Sequence, residues 1–167
     1  MTDISTEISN EVPKGGFAGA EYNAVAKGAR LEAINLFSNR FELDASCIEN
    51  QRQWKLSYGR KLISCHFSEE EQSVAAIFQY YVTAKYGRKR ALNCVADYAV
   101  FYQTPTGATE EAAIGFCKNV GTFAAYPYFR ALFAQLVNEA GLQMPPLPSI
   151  ASTAHIPPKE SNKVEKK

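Results

Sequence analysis

Residues 73–103, SVAAIFQYYVTAKYGRKRALNCVADYAVFYQ, hold two runs of strict alternation joined at a glycine. In SVAAIFQYYVTAKY (73–86), Val74, Ala76, Phe78, Tyr80, Val82 and Ala84 fall on one face of an extended chain, because successive side chains of a strand point to opposite sides. In RALNCVADYAVFYQ (90–103), Leu92, Cys94, Ala96, Tyr98, Val100 and Tyr102 do the same. Between them, Tyr86-Gly87-Arg88-Lys89 puts glycine at the first central position of a tight turn, which predicts a type II′ hairpin. Two strands with a shared apolar face need a second layer to cover it.

Upstream, RKLISCHF (60–67) alternates Leu62, Ser64 and His66 against Ile63, Cys65 and Phe67 and predicts a strand. Glu69, Glu70, Glu71 and Gln72 form an acidic turn after it. ARLEAINLFSNRFELD (29–44) reads as a long strand with apolar Ile34, Leu36, Phe41 and Leu43. Its phase slips at Ser38-Asn39, where a bulge restores it. ASCIENQRQWKLSYG between these strands is aperiodic, a crossover or loop carrying the one tryptophan, Trp54. No proline lies between Pro13 and Pro105, as a sheet requires.

Downstream, Thr104-Pro105-Thr106-Gly107 ends the sheet and ATEEAAIGFCKN predicts a short helix, its acids at the positive end of the dipole. Gly121 is expected to separate it from a long helix, VGTFAAYPYFRALFAQLVNEAG (120–141). There Phe129, Leu132, Phe133, Leu136 and Ala140 form an apolar stripe, and Gly141 supplies a C-terminal cap. Pro127 has no N–H for the carbonyl of residue 123, so a kink or a helix start is expected beside it. The opposite side, Ala131, Ala134, Gln135 and Asn138, is small or polar and is expected to pack on another copy. Five prolines after Gly141 predict an extended, polyproline-like segment. Four strands followed by helices predict an α+β fold, a four-stranded antiparallel meander with a short and a long helix on one face. Residues 1–27 are expected to be a flexible arm, 28–150 the folded domain and 151–167 a disordered tail.

A net charge of +1 gives no bias toward nucleic acid or anionic membranes. Cys47, Cys65, Cys94 and Cys117 contain no CxxC pair and His66 and His155 stand apart, so zinc spacing is absent. The first residues lack a basic start and an apolar core, so no signal peptide is expected, and no apolar run is long enough to span a membrane. The cytoplasm is the expected compartment. Glu69-Glu70-Glu71 reads as a solvated turn, His66 as a strand residue without a catalytic partner, and Arg88-Lys89-Arg90 as a hairpin tip.

The chain resembles the SecB protein-export chaperone family. Tyr126-Pro127-Tyr128-Phe129-Arg130 after a short acidic helix is similar to that family's aromatic-Pro-Tyr-x-Arg signature. Residues 141–148, GLQMPPLP, resemble its proline- and leucine-rich segment, and Gln53-Trp54-Lys55-Leu56 its crossover tryptophan. The resemblance implies chains paired through the first strand and the helix, then dimers packed through their helices into a tetramer. It implies a holdase for unfolded polypeptides, with no cofactor and no catalysis. Trp54, Leu56, Tyr126, Tyr128 and Phe129 are the expected lining of the client groove. The family's lid helix has no clear counterpart in SIASTAHIPP (149–158), and no acidic patch for docking the SecA motor is evident. Service to another partner, such as a toxin–antitoxin component, is the alternative to delivery to SecA. Two other classes stand beside the holdase: an adaptor for one folded partner, and an enzyme with a cleft on the same frame.

Overall fold

The computed structural model describes residues 19–149. At its centre are β3 (Ser73–Tyr86) and β4 (Lys89–Gln103), with the turn where the glycine placed it. Gly87 has φ 58, and among the described residues the only non-glycine with positive φ is Gln72, so Arg88 does not share the left-handed region. That excludes type I′ and agrees with type II′. All twelve expected inward residues of the two strands are buried. They pair across the ladder as Val74↔Tyr102, Phe78↔Tyr98 and Val82↔Cys94, so they form one continuous face.

β1 (Arg30–Leu43) and β2 (Lys55–Ser68) flank this pair, and the sheet is antiparallel throughout. β2, β3 and β4 form a meander, but β1 lies beside β4, so the order is β1-β4-β3-β2 and not the sequential order of a four-strand meander. The aperiodic residues explain the departure. They fold as a 3₁₀ helix, Ala45–Gln53, that packs on β3 and β4 and carries the chain from one sheet edge to the other. Asp44 opens it, accepting from the Ser46 amide at 2.9 Å, while its own amide donates to the Ala91 carbonyl. β2 begins five residues earlier than its alternation predicted, directly after this helix. β1 has two register shifts, between Leu31 and Ala33 and between Leu36 and Ser38; the second, at Phe37, falls one residue before the expected slip.

Two expectations at the chain's ends are corrected or left aside. Residues 19–28 are not arm: α1 (Gly19–Gly28) buries Val25 and packs against α2 (Glu110–Phe116). The close approach is specific, since a Cβ on Gly28 would sit 3.0 Å from Pro105. The rest of the expected arm (1–18) and the expected tail (151–167) lie outside the described residues.

Gly121 does not separate two helices. α2 runs through a single π turn, Cys117–Gly121, straight into α3 (Thr122–Glu139), with right-handed backbone at both junctions. Glycine is needed there for proximity: a Cβ would lie 2.9 Å from the Phe78 ring. The layer so formed covers the apolar face of the sheet, with Tyr80 donating its hydroxyl to the Thr122 carbonyl at 2.6 Å. Pro127 lies inside α3, not at its start.

Candidate functional site

The face of α3 that meets the sheet is Thr122, Ala125, Tyr126, Phe129, Phe133 and Val137. This line is rotated from the expected stripe: Leu132, Leu136 and Ala140 are only half-buried on its flank. Phe129 is 1% exposed and its ring stacks on Tyr80 at 5.4 Å, with Phe133 behind it at 6.3 Å. It is a core residue and is removed from the client-binding set. Tyr128, two helix positions from Tyr126, is 53% exposed and lies outside the groove described next.

α3 ends as a Schellman motif. Gly141, at φ 68, donates to the Asn138 carbonyl and Leu142 to the Val137 carbonyl, both at 3.0 Å. The hydrophobic contact of that motif is present as buried Leu142 and Val137. The chain then turns back along the helix. Leu147 is buried as a second anchor. The Tyr126 hydroxyl donates to the Pro148 carbonyl at 2.6 Å, and Arg130 Nη1 donates to Ser149 Oγ at 3.2 Å. The lengths agree: Val137 back to Tyr126 is about 16 Å of helix, and Leu142 to Pro148 in polyproline geometry covers about 19 Å. Three prolines in 142–148 favour that geometry, which needs no internal hydrogen bonds.

Between α3 and residues 142–149 lies a groove of about 610 Å³. Phe123, Pro127, Ala131, Ala134, Met144 and Pro146 are among the residues that line it. Among the described residues, Arg130 is the one charged residue in its lining. Ala131, Ala134 and Asn138, expected against another copy, are thus groove residues, whereas Gln135 lies outside the groove and donates to Glu139 at 2.9 Å.

β2 meets the groove at Phe123, whose ring lies under Arg60. On the helix side of this edge strand, Leu56, Tyr58 and Arg60 pair opposite Ala84, Val82 and Tyr80 and are exposed among the described residues. Leu56 is 40% and Tyr58 51% exposed. The Arg60 guanidinium lies over the Phe123 ring, 5.0 Å from its centroid. Burial pushes the Tyr126 phenol up from its ordinary pKa, the Arg130 cation opposes this, Tyr58 adds to it and Arg60 opposes it. Of the expected site residues, Tyr126 lines the groove and Leu56 stands exposed on β2. Trp54 does not join them. It is half-buried against the core and donates Nε1–H to the Cys47 carbonyl at 3.1 Å, pinning the crossover. Sequence reasoning missed Tyr58, Arg60, Phe123 and Leu147. The spacing of Leu142 and Leu147 around the prolines was the available signal for the groove's outer wall.

No family model matches the chain, and no curated protein matches it in sequence. Solved structures do. The chain aligns with a Mycobacterium tuberculosis SecB-like chaperone, solved in complex with a ChAD peptide from the HigA1 antitoxin, at TM-score 0.66 and 13% identity, over 79% of this chain and 97% of that one. The fold is SecB-like. A Streptococcus agalactiae protein of unknown function aligns at TM-score 0.37 and 8% identity over 74% of this chain and 96% of that one, too distant to bear on the site. In this SecB-like fold no described helix is long and apolar enough to cross a membrane, and no cluster of His, Cys, Asp or Glu among the described residues could hold a metal.

Proposed function

We propose that the chain is a chaperone that binds non-native polypeptide segments along α3 and the β2 ledge, and that it works without catalysis or a cofactor. The observation that carries this reading is the groove itself. It offers apolar and aromatic surface with one charged residue in its lining, which suits many sequences because it imposes no fixed hydrogen-bond code. β2 adds a strand edge of 14 residues, unpaired among the described residues and able to take an extended segment by main-chain pairing. The SecB-like fold supports the same reading.

The mycobacterial structure holds an antitoxin peptide, and this favours a second reading: service to one dedicated partner such as a toxin–antitoxin component, without SecA. The two readings part on breadth. Suppression of aggregation of several unrelated denatured proteins selects the general holdase; activity toward one protein alone selects the dedicated one. Failure to suppress any aggregation or bind any peptide would reject both. Ala134→Glu, which puts a charge in the groove wall, should abolish the activity while leaving the fold in place.

For assembly, the other sheet edge is the candidate. β1 exposes Leu31, Leu36 and Phe37, so two chains joined through it and then through helices would give the dimer or tetramer expected of this fold. Sedimentation as a monomer at micromolar concentration would remove that part of the proposal. Function in the cytoplasm is part of the same reading.

A further inference from the structure

The charges at the Arg60–Arg130 end of the groove are one-sided, whereas Glu49 of the crossover helix shares a neighbouring pocket with Gln143 at the other end. β2 carries Lys55, Arg60 and Lys61 and no acid. β3, its only neighbour among the described strands, carries none either. In α3 the single acid is Glu139, nine residues beyond Arg130, which places it about 14 Å farther along the axis. Residues 142–149 contain no charge. Phe123, whose ring carries the Arg60 guanidinium, and Arg130 are seven residues apart on α3 and both line the groove, so the two cations stand along one stretch of it. Their partners are neutral: Arg60 lies over the Phe123 ring and Arg130 donates to a serine hydroxyl. Among the described residues neither has a carboxylate.

A guanidinium beside an apolar wall, with hydrogen-bonding capacity left over, is matched by a planar carboxylate, which it can bind through two parallel N–H donors. The aromatic rings beside it exclude water and strengthen that attraction. We propose that the groove selects apolar peptide segments that carry a carboxylate, seated between Arg60 and Arg130 while the apolar residues run along α3 toward Asn138. The carboxylate comes from an Asp or Glu side chain or from a free C-terminus. The inference rests on the peptide-binding reading above and adds polarity and charge preference to it.

The test uses the full-length chain and fluorescently labelled peptides of one aromatic- and leucine-rich sequence, titrated by anisotropy. One peptide has an internal Glu and an amidated end, one has Gln there and an amidated end, and one has Gln with a free C-terminus. The peptide with Glu should bind about tenfold tighter than the neutral one, the scale of a charge-assisted hydrogen bond. The free C-terminus should match it if main-chain carboxylates are the natural source. Arg60→Gln with Arg130→Gln should remove the preference, Arg60→Lys with Arg130→Lys should keep part of it, and molar salt should weaken it. Equal affinity for all three peptides, or a preference that survives both Gln substitutions, overturns the proposal. The neutral peptide separates the two readings. If it binds and acid adds nothing, the carboxylate falls alone; if no peptide binds, the chaperone reading falls with it. Charge-independent peptide binding that is lost as the protein self-associates would assign the groove to a second copy and overturn the proposal.

Discussion

The two sides of α3 are built from similar residues and have opposite fates. Tyr126, Phe129 and Phe133 face Tyr80 and the sheet, with Phe129 almost fully enclosed. Tyr128, one residue from Phe129, stands in the open, and Ala131 and Ala134 leave a trough at the helix surface. An aromatic ring in this helix is therefore neither a core residue nor a binding residue by type. Rotation about the axis decides, at 3.6 residues per turn. The inner side answers to packing, where each lost methylene is felt. The outer side is free to vary in stability and is where function can be placed.

The sharpest way to break this contrast is Phe129→Ala beside Tyr128→Ala. The first should cost about 3–5 kcal/mol in a denaturant melt, the range for emptying a buried aromatic site. The second should stay within about 0.5 kcal/mol, as surface changes do. Equal costs would mean that the helix is rotated from its assigned position. Gly121→Ala probes the junction that sets that rotation. Its methyl would meet the Phe78 ring at 2.9 Å, and overpacking of this kind costs about 1–3 kcal/mol. A neutral result in the same melt would show that the π turn has room to shift.

Alkali tests the inner side as a whole. Burial raises Tyr98 and Tyr102 to about 12 and raises Tyr80 further. An unfolded tyrosine titrates near 10, so above that pH the unfolded chain gives up protons that the folded one keeps. Stability should be steady up to about pH 10 and fall between about 10 and 12, read as a declining denaturant midpoint. A decline that starts near neutrality would contradict the burial of these rings.

On the outer side, Ala131→Glu with Ala134→Glu should leave the melt within about 0.5 kcal/mol and remove peptide binding. A large loss of stability would instead make this side an interface that the fold requires. The smallest effect is chemical. Cys65, on β2, is half-buried and the neighbouring Cys117 thiol lowers its pKa, whereas burial pushes Cys94 up to about 11. Cys65 should be the first thiol alkylated at neutral pH, because the thiolate is the reacting species. Mass mapping that finds Cys94 or Cys117 labelled first would show that the α2–α3 layer opens more readily than β2.

The alternation of residues 73–103, the turn at Gly87 and the cap at Gly141 were legible in the sequence because each is a local rule of side-chain direction or backbone sterics. The α+β class followed, since alternating strands with one apolar face need helices to cover them. Strand order was not legible. Nothing local in β1 says whether it pairs with β2 or β4; the 3₁₀ crossover and the match of Ile34, Phe41 and Leu43 to Val100, Cys94 and Leu92 decide it. Nor was the site. Leu56 and Tyr126 are 70 positions apart in sequence, and Arg60 and Arg130 equally so. Only the packing of α3 on the sheet, and the return of residues 142–149 along it, puts Tyr126 and Arg130 in one groove and Arg60 over its Phe123 wall. Long-range proximity is a property of the packed layers, and no spacing within one element encodes it.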